Sequence, residues 1–159
     1  MKNIDSKYSG HWMTWTEIVP YKQQLVDMEL DLMHTYHYPD RLIPREYAEG
    51  AVDRLEGHLA SGNTFFWGVV DGERLLGYYW GYSAMFIDSL RWHTRSVYFR
   101  EELKGLGFGE KALCAGLEKA KEIGCKDAAT EYVPFNKAMA SLVNKCGYEI
   151  TRIEVVTKL

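Results

Sequence analysis

The stretch from Thr64 to Phe99 constrains the fold most. Two runs rich in aromatic and β-branched residues, Thr64 to Val70 and Arg74 to Met85, flank Asp71-Gly72. That dipeptide supplies the positive φ a two-residue hairpin turn requires. A third long run, Arg91 to Phe99, comes next and also reads as a strand. The middle of the chain is therefore β. Its longest charge-free run, Leu75 to Ile87, is 13 residues with two glycines, too short to span a bilayer.

Helical periodicity flanks this block. His11 to Ile18 alternates and is expected to be a short first strand. Leu25, Met28, Leu32 and Tyr36 then fall on one helical stripe. His37-Tyr-Pro-Asp-Arg-Leu-Ile-Pro44 breaks that helix with two prolines. Ala48, Val52, Leu55 and Leu59 mark a second helix closed by Ser61-Gly62. After Gly107 the pattern predicts a helix on Leu113, Leu117 and Ala120, a strand over Ala128 to Val133, a helix over Asn136 to Cys146, and a final strand over Tyr148 to Thr157. The order β-α-α-β-β-β-α-β-α-β predicts an α/β fold, a central mixed sheet of about six to seven strands with helices on both faces. A length of 159 residues fits a single domain over 1–159.

Charge and cysteine content narrow the partners. Nineteen Lys and Arg against 22 acids leave a net charge of −3, which offers no long-range attraction for nucleic acid or an anionic membrane. The N-terminus lacks the apolar core of a secretory signal. Cys114, Cys125 and Cys146 cannot all pair and form no metal-ligand spacing, so they read as reduced fillers in a cytoplasmic protein.

The densest chemical signal is Lys104-Gly105-Leu106-Gly107-Phe108-Gly109, between a strand and an amphipathic helix. Glycines there let a phosphate approach backbone amides and the positive end of the helix dipole, or they merely shape a turn. A Walker loop would end Gly-Lys-Ser/Thr, and this one ends Gly-Glu-Lys-Ala. The dinucleotide fingerprint fits Gly107-x-Gly109-x-x-Ala112, with Asp127 twenty residues on. It fails because Arg100 to Lys104 separates strand from glycine and Asp127 begins its strand instead of ending it.

The surviving pattern, [Gln/Arg]-x-x-Gly-x-[Gly/Ala] between strand and helix, resembles the acyl-CoA loop of the GNAT N-acetyltransferase superfamily. Lys104 replaces the usual Gln or Arg but keeps the cation. Gly107 and Gly109 take the two small-residue positions. Asn136, Leu142, Lys145 and Gly147-Tyr148 are similar to the family's next conserved run, Asn-x₅-Leu-x₂-Lys-x-Gly-Phe/Tyr.

The resemblance implies acetyl-CoA as cosubstrate, no metal, and acetyl transfer to a primary amine, either a small molecule or a peptide N-terminus, by direct attack in a ternary complex. It implies that the strands before the glycine loop and before the last helix splay apart. Pantetheine would bond the backbone of Val97 to Phe99 and touch Asn136, with Val97 N–H as oxyanion donor. Amides of Leu106, Gly107, Phe108, Gly109, Glu110 and Lys111 would hold the pyrophosphate, with Lys104 and Lys145 at matching positions. Glu131 stands where some members carry a catalytic glutamate, and His93 on the preceding strand is the rival base. The departure is Val143. The family's usual tyrosine there protonates the leaving thiolate, and valine cannot, which leaves an acyl-CoA sensor or a weakly active member as the alternative.

Weaker signals remain. His34-x-x-His37 has a metal-like spacing without a matching third ligand. Tyr78, Tyr79, Trp80, Tyr82 and Trp92 suit either a core or a cation–π pocket. The Tyr36 to Ile43 loop, with Asp40, lies where the family places its acceptor wall. A homodimer is compatible with the sequence.

Overall fold

The computed structural model describes residues 7–157. The predicted hairpin is its centre. β2 (Thr64–Asp71) and β3 (Arg74–Phe86) pair antiparallel from Thr64↔Tyr82 to Asp71↔Arg74, with Gly72 at φ +58° opening the turn. β4 (Ser89–Phe99) extends the meander, and β1 (Gly10–Met13) pairs with the outer edge of β2. β5 (Asp127–Ala129) joins β4 in parallel, so the sheet is mixed and ordered β1-β2-β3-β4-β5.

Alternation along these strands feeds two cores. On one face lie α1 (Trp15–Ile18), α2 (Lys22–Leu32), α3 (Arg45–Asp53) and α4 (Leu55–Ala60). They bury Leu25, Met28, Val52 and Leu55 against Phe66, Tyr78 and Trp80. On the other face, α5 (Phe108–Glu122) and α6 (Lys137–Lys145) bury Phe108, Leu113 and Val143 against Trp67, Tyr79 and Trp92. α5 sits close to the sheet because residue 116 is glycine; a Cβ there would lie 2.2 Å from the Tyr79 hydroxyl. Tyr78, Tyr79, Trp80 and Trp92 are each at most 2% exposed, which settles these four aromatics as core.

The α/β class holds with five described strands instead of six to seven. Three expectations are corrected. His11 to Ile18 is not one strand: β1 stops at Met13 and α1 begins at Trp15, because the Glu17 carboxylate accepts from the Thr14 N–H and hydroxyl, both at 2.8 Å. The strand expected over Ala128 to Val133 pairs only over Asp127–Ala129. The final strand expected over Tyr148 to Thr157 is not formed among the described residues, and Ile150, Ile153, Val155 and Val156 are 75 to 87% exposed. A three-residue β5 presents few backbone groups for another strand to bond.

Candidate active site

β4 and β5 pair through Arg91↔Asp127, Trp92↔Ala128 and His93↔Ala129, and beyond that they part. The cleft between them is lined by Thr94, Arg95, Ser96 and Val97 of β4 and by Thr130, Glu131, Tyr132 and Val133 after β5. Asn136 and Met139 close it on the α6 side, and Leu32, Tyr36 and His37 on the α2 side.

A bulge shapes the β4 wall. Trp80 pairs with Ser96 and Gly81 with Thr94, which makes Arg95 the extra residue. Arg95 thereby faces α2, where its Nη1 donates to Glu29 Oε2 at 2.6 Å and its guanidinium lies 3.9 Å from the Trp80 ring centroid. Glu29 is 2% exposed and also accepts from the Tyr78 hydroxyl. Burial, reinforced by the Glu29 charge, holds the Tyr78 phenol well above its ordinary pKa. Arg95 is thus neutralised from behind, and Glu131 is the remaining carboxylate of the lining.

The backbone of β4 presents donors to the same cleft. Arg100 N–H donates to Leu76 C=O of β3 at 2.8 Å. Successive amides of an extended strand point to opposite edges, so Val97 and Phe99 N–H point to the edge that β5 has left.

The glycine loop lies at the end of the same strand. Gly105 and Gly107 adopt φ +76° and +78°, a region L side chains avoid, and Gly107 caps α5. A Cβ on either would meet nothing within 4 Å, so this backbone is open to a ligand. Leu106 N–H already bonds Leu103 C=O at 3.3 Å, and Lys111 N–H bonds Gly107 C=O at 3.0 Å. The helix start therefore leaves Gly107, Phe108, Gly109 and Glu110 amides without intrahelical acceptors. Gly109 has a packing reason as well, since a Cβ there would lie 3.1 Å from Leu142 of α6. Lys104 Nζ bonds Glu101, Lys111 Nζ lies 4.8 Å from the Phe108 ring centroid, and the Glu110 side chain occupies the first turn.

The other predicted residues separate. Asn136 is the N-cap of α6, its Oδ1 accepting from Met139 N–H at 3.0 Å, and it also lines the cleft. Lys145 is exposed in the last turn of α6 and is not part of the lining. His93 stacks on Tyr82 with centroids 4.9 Å apart, outside the cleft lining; burial and then Arg91 lower its pKa. Val143 is 5% exposed in the core under α5. His34 does not join His37: its Nε2 contacts the backbone N and O of Ile43, each at 3.2 Å. Among the described residues no group of three side chains is placed to hold a metal ion.

Of this lining, sequence reasoning singles out Val97, Glu131, Asn136 and the loop residues Tyr36 and His37, and it misses Arg95 and the polar residues Thr94, Ser96 and Thr130. Arg95 owes its place to the bulge, which leaves no mark in the alternation. His37 was visible as half of a metal-like pair and as part of the Tyr36 to Ile43 loop, not as a base.

Residues 26–148 match the model of the acetyltransferase (GNAT) family. The chain belongs to that family. The stretches that carried the resemblance, Lys104 to Gly109 and Asn136 to Tyr148, lie inside the match. The uncharacterized N-acetyltransferase YdgE of Bacillus subtilis (strain 168) is 29% identical over 101 residues, covering 62% of this chain and 64% of that protein. A putative acetyl transferase from Pyrococcus furiosus shares the fold with a TM-score of 0.72 at 17% identity, over 96% of this chain and 100% of that one. AAC(6')-Iy, solved with a bisubstrate analog CoA-S-monomethyl-acetylneamine, has a TM-score of 0.68 at 12% identity, over 97% and 99% of the two chains.

Proposed function

We propose that this GNAT member transfers an acetyl group from acetyl-CoA to a primary amine, a small molecule or a peptide N-terminus, within a ternary complex. One observation carries the reading: the cleft between β4 and β5 has Val97 and Phe99 N–H on its open edge and the unbonded amides of the α5 start at the end of the same strand. These groups fit a pantetheine arm and a pyrophosphate, and the open space at Gly105 and Gly107 leaves room for the latter. Acetyl-CoA supplies the acetyl thioester when bound.

Each residue then has a task. Gly107 to Glu110 amides and the α5 dipole hold the pyrophosphate despite the chain's net negative charge. Val97 N–H donates to the thioester oxygen, a contact worth about 3 kcal/mol of barrier where such donors have been removed. Glu131 holds the acceptor's ammonium. Once that nitrogen loses a proton, its lone pair forms the C–N bond, the C–S bond breaks, the sulfur departs as thiolate, and the acylated nitrogen sheds its second proton to water or to that thiolate. A thiol pKa of about 8.5 makes that departure tolerable without the tyrosine that Val143 replaces.

The test is release of free CoA thiol across a panel of amines. Turnover above hydrolysis for at least one amine is expected, with Glu131→Gln raising KM for that amine more than it lowers kcat. Valine in place of the tyrosine acid at position 143 favours a second reading, an acyl-CoA sensor. A thermal shift with CoA, about 2.7 kcal/mol of stabilisation at 100 times Kd, with no turnover for any amine would select the sensor. Absence of both would overturn both.

A further inference from the structure

We infer that His37 is the catalytic base of the cleft, taking the proton from the acceptor's ammonium. This rests on the acetyl-transfer reading. Two histidines three residues apart end α2, and the structure gives them different tasks. The helix does not stop at Leu32 but widens into a single π turn, Met33–His37, a feature that recurs at functional sites. His34 on that turn is tied to the backbone of Ile43 and fixes the loop leading to α3. His37 is tied to no such group. Its ring packs edge-on to Tyr38 at 6.2 Å and lines the cleft opposite the β4 wall that carries Val97.

The environment suits the role. His37 is exposed at the mouth of the cleft, and partial desolvation there, the largest influence, pushes its pKa below the ordinary value. Glu29 of α2 raises it, Arg95 of β4 lowers it, and Glu131 beyond β5 raises it. The imidazole is therefore neutral and able to accept a proton at neutral pH, with Glu131 near enough to stabilise the imidazolium formed. A carboxylate ordinarily titrates near 4.3 and an imidazole near 6.5, so the imidazole is the better-matched acceptor. The proton balance closes: His37 receives the ammonium proton and passes it to water, the nitrogen forms the C–N bond, sulfur leaves with the C–S electron pair, and the second proton shed by the acylated nitrogen goes to the departing thiolate.

The experiment compares the wild-type chain with His37→Gln, using an amine that the wild type acetylates. The expected result is a kcat lowered by about 10²- to 10⁴-fold, CoA thermal shift unchanged, and loss of the acidic limb of the kcat–pH profile. In the wild type that limb should lie below about pH 6.5, the ordinary imidazole value, matching the pH at which the His37 ring titrates by NMR. A His37→Gln kcat within about threefold of wild type, a retained limb, or a ring titrating above that value would each overturn the inference while leaving acetyl transfer intact. A wild type that binds CoA yet acetylates no amine overturns the reading itself, and this inference with it.

Discussion

The meander of β1 to β4 and the segment after α5 obey different rules. In the meander every central strand has two neighbours and both faces are covered; Trp80 and Trp92, facing opposite cores, are 2% and 0% exposed. Past α5, β5 pairs over three residues, and the chain after α6 leaves four aliphatic side chains in water. Order in the first region is enforced by packing. In the second it is released just where β4 loses its partner, and the released edge is the cleft. The site is thus a place where sheet pairing stops, bounded by a region where it cannot.

The largest expected effect tests that contrast directly. Trp92→Ala removes a fully buried ring whose Nε1 donates to the Tyr79 hydroxyl at 2.6 Å, and should cost about 3–5 kcal/mol by urea denaturation. Ile153→Ser, at 82% exposure, should stay within about 0.5 kcal/mol. A comparable loss at both positions would show that the C-terminal segment is packed in solution and would erase the distinction.

Gly107→Ala is intermediate and probes the boundary between the two regions. At φ +78° a Cβ should cost about 1–2 kcal/mol, although nothing within 4 Å would clash with it. Because that backbone also carries the amides proposed to hold the CoA pyrophosphate, the CoA thermal shift should shrink by more than the melting temperature of the free protein implies. An intact shift would make the glycine a turn residue only.

The contrast also explains what the sequence could and could not announce. The meander was legible because its signals are local: Asp71-Gly72 for the turn, and long runs of aromatic and β-branched residues. The glycine loop was legible because positive φ leaves a compositional trace at Gly105 and Gly107. Thr14-x-x-Glu17 was an overlooked capping signal, overridden by the alternation around it. The final strand failed for a non-local reason, since a strand needs an edge and Tyr148 to Thr157 carries no information about how short β5 is. The placement of His37 and Arg95 in the cleft was hidden similarly, because a π turn and a bulge each insert one residue and shift the facing of the residues beyond it.

The smallest prediction concerns the one strained point of the meander. The β3–β4 turn places Ile87 at φ +60° with its side chain 89% exposed. A β-branched residue gains nothing from that conformation, and its left-handed backbone costs about 1–2 kcal/mol. Asn adopts the same region readily. Ile87→Asn should therefore stabilise the protein by about 1 kcal/mol and raise Tm by about 2–4 °C, as that energy implies for a domain of this size. Because the ring of Phe86 beside it is held by Arg91 at 3.5 Å, the hairpin should keep its register. An unchanged or lower Tm would mean that the Ile87 side chain is covered in solution. The tip of the meander would then lose its likeness to the exposed aliphatic segment after α6, and the packed region would have to be extended to include it.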